Sequence, residues 1–303
     1  MQNLSPNKSR HLGFIFAITG TLLFSLKSIF IKFLYQQGLD ANSVLVLRMG
    51  LALPIYIVIL FFTLRHRPQN ILSNKVISAV FLLGFLGYYL ASLLDLMGLE
   101  LITAQLERLT LFTYPFLVSI LGFIFFKEAI TRRTLFAFIL SYIGLWIVMG
   151  QEIELTGNNV IYGVSLVLAS ALCFAIYVLF SRPLIKQLTS VIFTSMAMIS
   201  SCLFGLIHGV IVIDWSLLII SDIAWLWLAL LVIVSTVIPS FMMAEAIDRI
   251  GPTQTGIAGM IGPIFTIGFA VYFLSEPFTS GIALGVALVI FGVGSLMIRK
   301  SAH

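Results

Sequence analysis

The sequence predicts an all-α integral membrane protein: ten transmembrane helices as two inverted five-helix repeats, with both termini cytoplasmic. Three observations lead there. Of 303 residues, 60% are hydrophobic and only 10% charged, whereas a soluble domain keeps about a quarter of its residues charged to solvate its surface. Lysine and arginine fall on one side of the apolar runs. The second half of the chain also echoes the first.

The spans come from length. A helix that crosses a bilayer needs about 20 mostly apolar residues, and that window yields 12–34, 43–64, 76–96, 103–126, 134–150, 160–180, 190–213, 223–244, 253–273 and 281–298. A mean hydropathy of +1.12 fits this density. The connections are short, and none could hold a soluble domain. The polar arm 1–11 (MQNLSPNKSRH) enters the first span without a small-residue cleavage motif, so that span is expected to stay in the protein. The organisation is then the arm, a first unit 12–150, a second unit 160–298, and a tail 299–303.

Orientation follows from the bases. With the N-terminus inside, internal segments hold Lys8, Arg10, Arg65, Arg67, Lys75, Lys127, Arg132, Arg133, Arg182, Lys186, Arg249, Arg299 and Lys300. External connections hold Asp40, Glu100, Glu152, Glu154, Asp214, Asp222 and Glu276, and only Lys32 stands at an external helix end. Cytoplasmic loops are the ones enriched in Lys and Arg. The net charge of +5 therefore reflects topology and does not imply nucleic acid as a partner. Cys173 and Cys202 lie in apolar stretches and suggest packed hydrophobes, with neither a disulfide framework nor a metal cluster.

The echo has a spacing. Pro115 lies 13 residues before Glu128, and Pro263 lies 13 before Glu276. A shift of 148 also aligns Ile102 with Ile250, Phe125 with Phe273 and Gly144 with Gly292. A shift of 150 aligns GFIFAITGTLLFSLKSIFIKFL with GVSLVLASALCFAIYVLFSRPL. A second copy of five helices must enter the membrane upside down, as in alternating-access carriers built from inverted repeats.

The five-plus-five layout and the two P-x12-E segments resemble the EamA family of the drug/metabolite transporter superfamily. So do VLRMGLALP ending at Pro54, MGLELITAQLERLTLFTYP and AEAIDRIGPTQTGIAGMIGP. The resemblance covers about residues 12–298. It implies a bundle around a central cavity, no prosthetic group, and carriage of small metabolites, largely export of amino acids and related compounds, from a bacterial inner membrane.

Charged residues inside the spans are the candidate site. At 1.5 Å per residue, Lys27 lies roughly 12 Å from the external end of its helix and Arg48 roughly 7 Å from its own. Glu107 and Arg108 lie about 6–8 Å down the fourth span, with Asp95 and His208 on the same side. A centred charge costs about 2.5–3.5 kcal/mol, so such groups should face a cavity or each other. Lys27 is the deepest, and its counterpart in the second unit is Tyr177. Two readings stand: an ion pair with Glu107, or an anchor for a substrate carboxylate or phosphate. Three cations (Lys27, Arg48, Arg108) against two carboxylates (Asp95, Glu107) leave one surplus positive charge, which favours substrates bearing an anionic group. Adjacent Glu107 and Arg108 diverge around the helix and should pair across helices instead. Arg48 could snorkel or latch its helix to a neighbour, and His208 reads as a packed histidine. Tyr88, Tyr177 and Gln254 are the uncharged candidates for the substrate. Asp95, Glu107 and His208 are the candidates for a coupling proton, and simple exchange would need none. Pro115 and Pro263 remove backbone donors and can act as hinges, while Gly256 and Gly259 allow close helix approach.

Other classes fit less well. A metal-dependent or zinc enzyme needs clustered carboxylates or His and Cys at helical spacing, and only one of the four histidines lies in a span. A facilitative channel wants a polar stripe along one helix. The expected function is therefore secondary transport of a carboxylate-bearing or zwitterionic metabolite, with a channel or exchanger for small solutes as the alternative.

Overall fold

The computed structural model describes residues 6–65, 73–127, 129–216, 218–259 and 261–298. Among them every regular element is helical. The first span is α1 (Pro6–Ser25) and α2 (Lys27–Gln36), interrupted at Leu26. Next come α3 (Ala41–Leu64), then α4 (Asn74–Gly84) and α5 (Ala91–Leu101) joined by a π-helical turn Phe85–Leu90. The short α6 (Ala104–Leu111) is followed by α7 (Tyr114–Phe126), α8 (Arg132–Thr156), α9 (Asn159–Leu188) and α10 (Ser190–Val212). The remainder is α11 (Asp222–Val232), a second π turn Ile233–Val237, α12 (Ile238–Gly259), α13 (Gly262–Leu274) and α14 (Ser280–Ile298). Eight helices among the described residues are long and apolar enough to cross a membrane, and Gly262–Leu274 and Ser280–Ser295 are shorter apolar helices.

Helix starts are chemically marked. Asp40, Ser73, Thr103, Thr131 and Ser221 each accept the N–H three residues on, from Ser43, Val76, Leu106, Thr134 and Ala224. Such caps satisfy donors that a helix leaves open. Large apolar side chains cover the outside: Phe62, Trp146, Tyr272 and Phe291 are each more than half exposed. An apolar exterior of that kind suits lipid and not water.

Inside, small residues set the spacing. α8 lies against α14 so closely that a Cβ on Gly144 would stand 2.5 Å from the Gly285 carbonyl oxygen. Close backbone approach is what packs helices where lipid removes the hydrophobic drive. Gly144→Ala should therefore push α8 off α14 and cost about 1–3 kcal/mol. The expected result is a lower melting temperature in detergent, and an unchanged one would count against this packing.

The spacing of 148 residues recurs in the backbone. The π turns begin at Phe85 and Ile233, and a turn precedes both Tyr114 and Gly262. Pro115 and Pro263 stand in the first turn of α7 and α13. Those helices end on left-handed residues, Lys127 at φ 55° and Ser275 at φ 54°. Glu128 lies outside the described residues. One boundary differs from expectation: the stretch 245–252, expected to separate two spans, is helical within α12. Continuing the helix keeps its backbone groups bonded where no water can replace a partner. α8 and α9 likewise run past their expected ends, to Thr156 and Leu188.

At one end of the bundle the connections are tied together. Gln37 accepts from Ser221, Glu100 from the Ala41 amide, Glu152 from Thr103, Glu276 from Ala104, and Gln151 from Thr279.

Candidate functional site

The interruption at Leu26 organises the buried charges. There the Leu26 amide bonds to Leu23 O at 3.3 Å, three residues back, and the helical pattern loosens. Ser25 Oγ donates to Gly262 O at 3.0 Å, and Thr266 Oγ1 donates to Ser25 O at 3.3 Å, which holds the turn against α13. On the other side Arg108 Nη2 donates to Phe24 O at 3.2 Å and to Ser28 Oγ at 3.3 Å.

Lys27 opens α2 and bonds Asp95 Oδ2 of α5 at 2.6 Å. The pairing expected between Lys27 and Glu107 is thus corrected. Asp95 projects from α5 to the start of α2, while Glu107 sits one residue round, against Ser28, whose Oγ donates to Glu107 Oε2 at 2.7 Å. Asp95 and Glu107 are both essentially buried and close enough for the charge of each to reach the other, and Asp95 Oδ1 has no hydrogen-bond partner among the described residues. Two buried carboxylates this near each other repel when both are ionised. Arg108 Nε is buried without a hydrogen-bond partner among the described residues. Lys27, Arg108, Asp95 and Glu107 therefore form one cluster from α2, α5 and α6.

Arg48 does not snorkel. It is 3% exposed, with Asp95 foremost among the groups whose charge reaches it. His208 is satisfied on both ring nitrogens, at 2.9 Å from Tyr89 Oη and 3.1 Å from Asn42 Oδ1. Tyr88 turns the other way. Its hydroxyl meets that of Tyr177 at 3.2 Å and the rings meet edge to face at 4.9 Å. Tyr177 also packs on Phe174 and Phe193. These rings occupy a separate aromatic cluster, seven residues below Asp95 on the α4–α5 span. Gln254 of α12 buries an Oε1 without a hydrogen-bond partner among the described residues. Gly259 faces Thr21 of α1 at ordinary contact distance. The surroundings of Gly256 lie outside the described residues.

Sequence reasoning passed over Ser28, Lys32, Gln105, Glu152 and Glu276. Lys32, one turn above Ser28, is partly buried, with Glu276, Glu152, Glu107 and Glu100 as its carboxylate neighbours. Glu276, in the connection between α13 and α14, has its pKa pushed up by burial, against the pull of the Ala104 and Gln105 amides. Asp40 goes the other way: burial raises it, but hydrogen bonds from Ser43 outweigh this and hold it below the usual carboxylate range. A cavity of about 240 Å³ lies at this end, lined by Thr103, Gln105, Val148, Glu152, Leu155, Pro277 and Ile282.

An apolar exterior, spans of bilayer length and a buried charged cluster beside a helix interruption define a polytopic membrane protein with an ionic site within it. The chain belongs to the EamA-like transporter family, whose model matches residues 11–150 and again 161–298. It is an integral membrane transporter, and neither family nor relatives point to an enzyme. The uncharacterized transporter YcbK of Bacillus subtilis is 29% identical over 95% of this chain and 93% of its own. The S-adenosylmethionine/S-adenosylhomocysteine transporter of Chlamydia muridarum is 23% identical over 86% of this chain and 84% of its own. A crystal structure at 13% identity matches 96% of this chain and 99% of its own with a TM-score of 0.68, which shows a shared fold.

Proposed function

We propose that this transporter carries a zwitterionic, carboxylate-bearing metabolite out of the cell by alternating access, in exchange for a proton. The observation that supports this best is the buried Lys27–Asp95 pair with Glu107 and Arg108 beside it. Lys27 and Arg108 suit a carboxylate, and Asp95 and Glu107 suit an ammonium. A substrate ammonium and a proton would compete for the same two carboxyl groups, which is the logic of exchange. The compounds named for the chlamydial relative both end in an α-amino-acid group, which has this chemistry. Tyr88 and Tyr177 lie deeper and would meet an apolar or ring portion of the substrate; Gln254 would face it from α12.

The two matches to the family model, and the backbone features repeated at 148 residues, support two inverted five-helix units, 12–150 and 160–298. Loop charges favour cytoplasmic termini in a bacterial inner membrane. Cysteines placed at 38, 156 and 278 should then be labelled from outside, and those at 68, 132 and 186 from inside. Labelling of position 278 from the cytoplasm would break the inverted arrangement.

The test of the transport reading is substrate screening by thermal shift, since a ligand that binds the folded state raises its melting temperature by mass action. Amino-acid zwitterions should stabilise the protein, and decarboxylated or deaminated analogues should not. Equal stabilisation by all three would contradict the reading.

A further inference from the structure

We propose that Glu276 and Glu152 clasp the first turn of α6, and that releasing this clasp opens one face of the bundle to the charged cluster. Under the proposed topology that face is the outer one.

The first four N–H groups of a helix have no partner within it. Here all four positions are filled from outside the helical pattern. The Thr103 amide donates to Glu152 Oε1 at 2.6 Å, the Ala104 amide to Glu276 Oε1 at 2.8 Å, and the Gln105 amide to Glu276 Oε2 at 3.2 Å. The Leu106 amide donates to Thr103 Oγ1 at 3.2 Å. Thr103 Oγ1 in turn donates to Glu152 Oε2 at 2.6 Å, and Gln105 Nε2 donates to Pro277 O at 3.1 Å. A carboxylate is well placed at a helix N-terminus, where the dipole and free amides favour negative charge.

The clasp spans both halves of the chain. Glu152 closes α8 in the first half, and Glu276 sits between α13 and α14 in the second. The held element is short: α6 is eight residues long, bounded by 102–103 and by the turn at 112–113. One turn below the clasp it carries Glu107 and Arg108, so any movement of α6 rearranges the cluster. Lys32 stands between the two levels with carboxylates of both around it, and supplies the positive charge that lets acidic groups gather there. A strap from both halves of the chain that caps a short helix bearing site residues has the geometry of a gate.

This inference rests on the alternating-access reading, and its test needs no substrate. With Cys173 and Cys202 replaced by serine and Ser28→Cys as reporter, a membrane-impermeant maleimide is applied to oriented proteoliposomes from each side. Glu276→Gln, which keeps size but loses one acceptor oxygen and the charge, should speed labelling from the outer side about tenfold and slow it from the inner side. Glu152→Gln should act in the same direction more weakly, and carries the test if Glu276→Gln does not fold. Hydrogen exchange at Ala104 and Gln105 is followed in parallel. Faster exchange with unchanged labelling would reduce the carboxylates to helix caps and overturn the gate. Faster labelling from both sides would keep the clasp but sink alternation between the two faces.

Discussion

Lys27→Ala is expected to abolish substrate binding and to destabilise the protein. The substitution removes the ammonium that bonds Asp95 at 2.6 Å and leaves a buried carboxylate beside a second one. Breaking a buried pair by deleting one partner costs about 3–5 kcal/mol, because the remaining charge is uncompensated. Thermal unfolding in detergent reads that loss. The double variant Lys27→Ala with Asp95→Asn removes the orphaned charge and should recover most of the stability. Its transport, compared with that of Asp95→Asn alone, decides the role of Lys27. If Lys27 holds the substrate carboxylate, the double variant is stable and loses the substrate binding that Asp95→Asn alone retains. Recovered transport would make Lys27 a structural partner of Asp95 and nothing more.

Glu107→Gln has a different signature. Glutamine keeps the length of the side chain and an oxygen for Ser28, and it removes the charge and the titratable proton. Stability should change by less than about 1 kcal/mol, because the buried hydrogen bonds are retained. Substrate affinity in the native protein should fall as pH falls and a proton on the carboxyl pair becomes harder to displace. In Glu107→Gln affinity should be weaker and flat with pH, and a proton gradient should no longer drive accumulation. Binding isotherms across pH and gradient-driven uptake measure both. A variant that binds weakly but keeps the native pH dependence would place the coupling proton elsewhere, with His208 the next group to test.

The spans were legible because twenty apolar residues at helical rise are long enough to cross a bilayer, whatever their neighbours. Lys27, Asp95, Glu107 and Arg108 were legible as a group because charge in such a span is costly anywhere except against a partner or cavity. Which partner each takes was not. Lys27 and Asp95 are 68 residues apart, and the choice between Asp95 and Glu107 depends on the rotation of α2 against α5 and α6. Glu152 and Glu276 were placed only in external connections, because a carboxylate at a span end looks alike whether it meets water or a helix amide. Thr103, a good capping residue before AQLERL, was the signal that a helix begins there and needs acceptors. The π turns at Phe85 and Ile233 have no composition to mark them, and the continuity of α12 through 245–252 ran against Gly251 and Pro252, which favour a junction.

Counterflow in proteoliposomes tests the central reading most directly. Purified protein is reconstituted, loaded with an unlabelled amino-acid zwitterion that stabilises it, and diluted into trace labelled substrate with an imposed pH difference. Alternating access in exchange for protons predicts saturable uptake, accelerated by substrate inside, reversed in direction with the gradient, and absent in Lys27→Ala with Asp95→Asn. Flux that rises linearly with concentration and ignores substrate on the far side would contradict it.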